Sequence, residues 1–305
     1  MPFEERLYKR LDKRSYGSFI LGGDIGGTST RLGIFGLKKS LPILLAVFNF
    51  ETEKLKNLHS AVNEAINRAK ERHDIKITKA CFAAAGILSA SRDHIKTQNL
   101  AWDISKKDLL KKTKLEKIIF LNDFEAIGYS INALAKKDFI GIKRAKKIPK
   151  SPIVVVGAGT GLGKATLVYS EKDKSYVPIP SEAGHTDFAA QNEQELHLIN
   201  FIRKHKKTGH NISYEQVLSG QGLSNIYLFL RKAKKFKETK HSKEIDSAKN
   251  QPELVSKYKK IDPTCRETFK IFKVIYARFA KNAALDALAF GGVYIAGGIA
   301  PKNKN

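Results

Sequence analysis

Cysteine is nearly absent from this chain. Its 305 residues include two, Cys81 and Cys265, too few for a disulfide framework or a thiolate zinc site. Long apolar runs are missing as well. The longest uninterrupted ones, such as Ile43 to Phe48 and Cys81 to Leu88, fall far short of the ~20 residues a membrane-spanning helix needs. The opening MPFEERLYKR puts acids beside the Met and has no apolar signal core. The expectation is a cytoplasmic protein with no membrane partner. Glycine (22) and proline (9) are not in excess while 42% of residues are hydrophobic, which argues against a disordered or fibrous chain. At about 150 residues per domain, the length predicts two domains, each able to bury a core.

Acidic residues are also scarce: 30 Asp plus Glu against 55 Lys plus Arg leave a formal charge of +25. Such an excess suits a nucleic-acid binder, whose affinity is dominated by phosphate contacts. The basic residues, however, are spread along the chain, in 106–117, 136–150 and most densely 231–260, where eleven Lys or Arg face four acids. Lys far outnumbers Arg, the residue suited to bidentate base reading. No zinc finger, RNP-type strand or helix-turn-helix spacing is present. The charge therefore reads as a lysine-rich solvated surface with no specific nucleic-acid partner.

Alternating apolar segments predict an α/β protein. Ser18 to Phe35 reads as strand, glycine turn, strand, followed by a strand near Leu44 to Phe50. From Leu55 to Arg72 the helical period sets Leu58, Val62, Ile66 and Ala69 on one face. Ile77 to Ala85 and Lys117 to Leu121 are further strands. The pattern then recurs: Pro152 to Val156 runs into GAGTGLG and KATLVYS, helices are expected over Glu193 to Lys206 and Thr268 to Ala289, and Val293 to Ile295 precedes Ala296-Gly297-Gly298. Two units opened by the same hairpin predict two lobes around a cleft. The expected linker lies near Asn122, giving a small α/β domain over 1–122 and a large one over 123–305.

The glycine turns carry the first chemical signal. Gly23-Asp24-Ile25-Gly26-Gly27-Thr28 and Gly157-Ala158-Gly159-Thr160-Gly161-Leu162-Gly163 permit close backbone approach and can aim N–H groups and hydroxyls at an anion. Asp24, at a strand end, suits a hydrated Mg²⁺ beside a polyphosphate. Neither turn is a P-loop: Gly163-Lys164-Ala165 lacks the hydroxyl residue, and strand follows where a helix should begin. A pair of hairpins gripping one nucleotide is the economical reading. Asp123, just past KIIFL, is the best candidate base for an alcohol, although a helix N-cap is its structural alternative. Glu182 and His185, on a Gly-containing loop, suit vicinal hydroxyls that both donate and accept. A Glu-x-x-His metal pair is the rival, without neighbouring Cys or His ligands to complete it.

In order, DIGGTSTR, LNDFEA, GAGTGLG, SEAGHTDF, EQVLSGQGL and FGGVYIAGGIAPK closely resemble the bacterial glucokinase family, over about Phe19 to Lys302. The resemblance implies a two-lobed actin-like ATPase (ribonuclease H-like) fold with a central cleft. It also implies ATP-dependent phosphorylation of the glucose 6-hydroxyl, the first step of glycolysis, with Mg²⁺ required. Asp123 matches the family's catalytic base, and Asn122, Glu182, His185 and Glu215 match its sugar ligands, with Asn99 a further sugar-side residue. Read without the resemblance, Glu215 is equally a helix-surface acid. The nucleotide side would comprise Gly23, Asp24, Ile25, Gly26, Gly27, Thr28, Gly159, Thr160, Gly161, Gly297 and Gly298. A homodimer is the implied assembly. Two departures stand out. Ser29 replaces the family's Asn, and the sequence stops at Asn305 where members continue for about fifty residues, which predicts a less walled nucleotide pocket and lower stability or activity. A catalytically impaired sugar or nucleotide sensor on the same scaffold is the alternative function.

Overall fold

A computed structural model describes residues 3–303 except 10, 11, 40, 85, 98, 99, 144 and 208. The chain forms two compact units, Met1–Phe139 and Ile140–Asn305.

The first unit is built on a six-stranded sheet of order β1-β4-β3-β2-β5-β9. Its strands are β1 (Phe3–Leu7), β2 (Ser18–Ile25), β3 (Ser29–Lys38), β4 (Leu41–Glu51), β5 (Lys79–Ala84) and β9 (Lys117–Asn122). Between the last two come β6 (Gly86–Leu88), β7 (His94–Thr97) and β8 (Ile104–Ser105), a separate small sheet. β2, β3 and β4 pair antiparallel, and β5 and β9 then add in parallel beside β2. Parallel neighbours require crossovers, here through α1 (Leu58–His73) and α2 (Lys106–Lys112). The helical face read from the sequence is the one that packs, since Leu58, Val62, Ile66 and Ala69 are all buried. Asn57 starts α1 by accepting from the Ser60 amide, and Asp74 closes it in the left-handed conformation at φ 52°. Inside the sheet, Leu21, Phe82 and Phe120 are fully buried. Gly23 makes room for one of them: a Cβ there would lie 2.4 Å from the Phe82 ring.

The expected linker at Asn122 is not where the compact units part. β9 runs directly into α3 (Asp123–Ser130), which belongs to the first unit. Backbone continuity at a helix cap leaves no slack there, and the division falls after Phe139.

The second unit holds a four-stranded sheet of order β12-β11-β10-β13. Its members are β10 (Ile153–Ala158), β11 (Leu162–Ser170), β12 (Ser175–Ser181) and β13 (Gly292–Ala296). β10, buried at every position, pairs antiparallel with β11 and parallel with β13. Its helices are α4 (Glu193–Lys206), α5 (Gly220–Lys232), α6 (Lys240–Asp246), α7 (Gln251–Tyr258), α8 (Pro263–Asp286) and the short α9 (Ile299–Lys302). The helix expected over Thr268 to Ala289 starts five residues earlier, with Asp262 accepting from the Cys265 amide and Pro263 at the first position, where its missing N–H costs nothing. The lysine-rich window holds α6 and α7, each with buried apolar residues (Ile245, Val255) beneath its charged face.

One ion pair ties α4 to α8. Arg278 donates to both carboxylate oxygens of Glu195, with Nη1–Oε2 at 2.8 Å, and both side chains are almost wholly buried. Burial penalises the Glu195 charge, but the hydrogen bonds from Arg278 and the Gln191 amide outweigh it and hold the carboxyl below the usual range. Glu195→Ala should therefore cost about 3 kcal/mol, the order expected when one partner of a buried pair is removed and the other left unpaired. Chemical denaturation checks this, and the wild-type contribution should vanish as pH falls through the depressed Glu195 pKa.

Candidate active site

In the first unit, the glycine hairpin is the β2–β3 turn. Gly26 N donates to Ser29 O at 3.0 Å. The loop is pinned from below: buried Thr52 donates from Oγ1 to Gly26 O at 2.8 Å, shares a 3.0 Å hydrogen bond with Thr30, and takes Thr28 O on its amide at 3.0 Å. Thr28 is exposed at the tip. The nominated residues differ in what they can offer. Gly26, Gly27 and Thr28 form the turn, whereas Gly23 and Ile25 lie within β2 and Ile25 is buried. Ile25 and Gly23 can therefore contribute backbone only. Asp24 is exposed, with Arg31 across the hairpin at 3.7 Å. Its carboxylate is a hard oxygen donor open to solvent, which fits a hydrated Mg²⁺.

Asp123 lies at the first position of α3, with Asn122 as the cap. Asn122 Oδ1 accepts from the Phe124 amide at 2.9 Å and the Glu125 amide at 3.4 Å, while Glu125 accepts from Asn122 N at 3.3 Å, closing a capping box. The capping role open to Asp123 in the sequence thus falls to Asn122, whose Nδ2 donates no hydrogen bond among the described residues. Asp123 Oδ1 accepts from the Phe124 amide at 2.9 Å. Burial raises the Asp123 pKa, the Phe124 and Asp123 amides pull it down, and the Asp24 charge adds to the rise; the net direction is upward. Asp123 is therefore a stronger base than a solvated aspartate.

Two residues behind it carry no sequence nomination. Glu125 is buried, and Arg92 Nη2 lies 2.9 Å from each of its carboxylate oxygens. Arg92 thereby fixes the carboxylate that closes the cap under Asp123. The Asn-x-x-Glu spacing was a readable signal for Glu125. Arg92, in a turn at φ 55°, had none.

In the second unit, the β10–β11 hairpin turns through Gly159-Thr160-Gly161, with Gly159 N donating to Gly161 O at 2.8 Å and Thr160 exposed at its tip. Gly297, at φ 79°, abuts it: a Cβ there would lie 2.4 Å from Ala158 O, so only glycine fits. Gly298 continues beside Gly159. Where β10 and β13 part, Tyr276 of α8 accepts the Ala158 amide at 3.0 Å. Lys164, just past the turn, is bound to Asp286 at 2.7 Å and is not free for a phosphate.

Glu182 caps a 3₁₀ turn (Ala183–His185) that His185 ends, both exposed, with Oε2 and Nε2 3.8 Å apart. The turn presses on the hairpin so closely that a Cβ on Gly184 would lie 2.0 Å from Leu162 O. Glu215, from the neighbouring 3₁₀ turn, accepts the Leu162 amide at 2.9 Å. The sugar-side candidates of this unit thus gather around Leu162. Among the described residues, no group of three or more His, Cys, Asp or Glu could hold a metal ion, so Glu182 and His185 have no further ligands to complete a metal site. Asn99 lies outside the described residues.

Comparisons with known proteins name the family. The family model described as Glucokinase matches residues 21–305. The glucokinase of Nostoc punctiforme is 34% identical over 312 residues, covering 93% of this chain and 85% of that protein. The chain belongs to the glucokinase family. As a member it is a hexose kinase, with the α/β actin-like ATPase fold. The crystal structure of a glucokinase from an Antarctic psychrotroph matches at 26% identity with a TM-score of 0.75, over 94% of this chain and 85% of that one. A glucokinase from Balamuthia mandrillaris, solved in complex with glucose, shares the fold with a TM-score of 0.77 at 21% identity, over 94% and 81%.

Two other features of this glucokinase-family chain fall away as sites. Burial pushes the Cys81 thiol up to about 11, with the Glu125 charge adding to it, and raises Cys265 as well, so neither is a thiolate nucleophile. A cavity of about 940 Å³ between the C-terminal ends of α4 and α5 is lined by Lys204, Arg231 and Lys232 but by none of the candidate site residues. Its cations complement two helix C-termini, and Arg231 takes up its acids Glu238 and Asp246.

Arg92→Ala should leave the Glu125 carboxylate buried without its partner. With Arg92 itself half exposed, the loss should be about 2 kcal/mol, below the range for a fully buried pair. The measurement is denaturation alongside steady-state kinetics, where kcat should fall as the cap under Asp123 loosens.

Proposed function

We propose that this chain transfers the γ-phosphoryl group of ATP to the 6-hydroxyl of glucose, with Asp123 as the base. The observation that carries the assignment is the half-buried Asp123 carboxyl, raised in pKa by burial and by Asp24 while one oxygen is held by the Phe124 amide. Oδ1 is thereby oriented, and Oδ2 is left to take the hydroxyl proton as the oxygen attacks phosphorus. The first unit contributes Asp123 and Asn122, the latter through its amide nitrogen. The second contributes Glu182, His185 and Glu215 as partners for sugar hydroxyls. The turns at Gly26-Gly27-Thr28 and Gly159-Thr160-Gly161 present backbone N–H groups and threonine hydroxyls suited to phosphate oxygens. Gly297 and Gly298 leave room for the adenosine. Mg²⁺ would be held through water by Asp24, where it neutralises phosphate charge.

The catalytic reading is favoured over a silent sensor because the family model and the relatives that match nearly the whole chain are glucokinases.

Asp123→Asn is the decisive variant. The Asn oxygen can still accept the Phe124 amide, so the helix start survives. A coupled assay should show kcat down by about 10³-fold, within the span attributed to general base catalysis, while glucose still binds. The folded state holds the Asp123 proton more tightly than the unfolded chain does, so stability falls as pH rises from the ordinary aspartate range through the raised pKa. At neutral pH the variant should therefore melt at or above the wild-type temperature. Normal glucose phosphorylation by Asp123→Asn would refute the assignment.

A further inference from the structure

Glu215 sits where two tasks meet. Its Oε2 accepts the Leu162 amide at 2.9 Å, whereas Oε1 accepts no hydrogen bond among the described residues. The same Oε2 lies 2.7 Å from where a Cβ on Gly161 would be, so the carboxylate abuts the turn through this oxygen. The carbonyl of Leu162 faces the Gly184 turn that carries His185. One further bond ties the segment to the hairpin, Gly220 N donating to Gly159 O at 2.8 Å, and Ser219 Oγ braces the segment itself by donating to Glu215 O at 2.7 Å. The side chain nominated for the sugar is therefore part of the support of the turn nominated for the phosphates.

We propose that Glu215 is a coupling residue, using Oε2 to hold the Gly159–Leu162 turn and Oε1 to accept a hexose hydroxyl. The inference rests on the proposed assignment of that turn to the nucleotide and of Glu215 to the sugar. Its physical basis is orientation. A hydroxyl on Oε1 fixes the plane of the carboxylate, and with it the direction of Oε2 toward the Leu162 amide. A turn already ordered by the sugar has less freedom to lose when the nucleotide binds. Linkage makes the effect reciprocal: bound nucleotide tightens the sugar by the same factor.

The test is ADP binding by titration calorimetry, with and without glucose, together with hydrogen exchange of the peptide spanning 157–163. In wild type, glucose should tighten ADP by about fivefold or more, the lower end of ordinary coupling. Glu215→Ala removes the acceptor: ADP binding without any sugar should weaken about tenfold, the scale of losing one charge-assisted hydrogen bond, and exchange in the turn should accelerate. Glu215→Gln keeps an oxygen for the Leu162 amide, so sugar-free ADP affinity and slow exchange should return while glucose binding stays impaired. Gly161→Ala leaves Glu215 in place but pushes its carboxylate aside, and should raise the glucose KM from within the phosphate turn.

Sugar-free ADP affinity and turn exchange unchanged in Glu215→Ala would overturn the inference and leave the kinase assignment standing. Wild type that phosphorylates glucose with no effect of glucose on ADP affinity would overturn the coupling in the same way. Wild type that binds no ADP at all would bring down the nucleotide assignment of the turn, and the inference with it.

Discussion

A carboxylate at the first position of a helix is pulled two ways. Unpaired amides and the helix dipole stabilise its charge, whereas burial and a second carboxylate nearby oppose it. At Asp123 the opposing side wins, burial being the largest influence and Asp24 adding to it. The rest of the first unit's site is arranged to keep that balance. Asn122 takes the helix cap, so Asp123 does not have to. Glu125 closes the cap from beneath, and Arg92 neutralises Glu125. Without Arg92, a second buried negative charge would stand uncompensated two residues along the helix from Asp123.

The two units solve the same problem twice with different supports. Each places a short glycine turn with an exposed threonine between two antiparallel strands, and each holds that turn from outside the hairpin. In the first, the support is neutral: Thr52 bonds the turn's backbone at Gly26 O and Thr28 O and shares a hydrogen bond with Thr30 of the hairpin. In the second, the support is a carboxylate, Glu215, on the Leu162 amide, with Gly297 and Gly184 packed too tightly for any side chain. A hydroxyl brace is insensitive to ligands. A carboxylate with an oxygen that accepts no hydrogen bond among the described residues can take one from a ligand, and under the proposed assignment that asymmetry separates a passive turn from one able to respond to the sugar.

Much of this was legible in the residues. Both hairpins, the α1 face and the helix at Glu193 to Lys206 follow from apolar period and glycine spacing, and the six ordered motifs carry the family. Less was legible where the signal is diluted or has no side-chain signature. In 231–260 the lysines mask the apolar positions of α6 and α7, although Ile245 and Val255 are buried. The compact units part after Phe139 rather than at Asn122, because a capped strand-to-helix junction reads as a break in composition while being continuous in packing. Arg92 meets Glu125 across thirty-three positions, and Glu215 meets a backbone amide, which any residue at 162 would supply. No pattern of residue types encodes such a contact.

The central claim is that Asp123 must be ionised, from a raised pKa, for the chemical step. Single-turnover phosphoryl transfer to glucose followed against pH reads this directly. The rate should fall as pH is lowered through a single ionisation lying above the ordinary aspartate range. A rate that stays level down through the ordinary aspartate range would contradict the account.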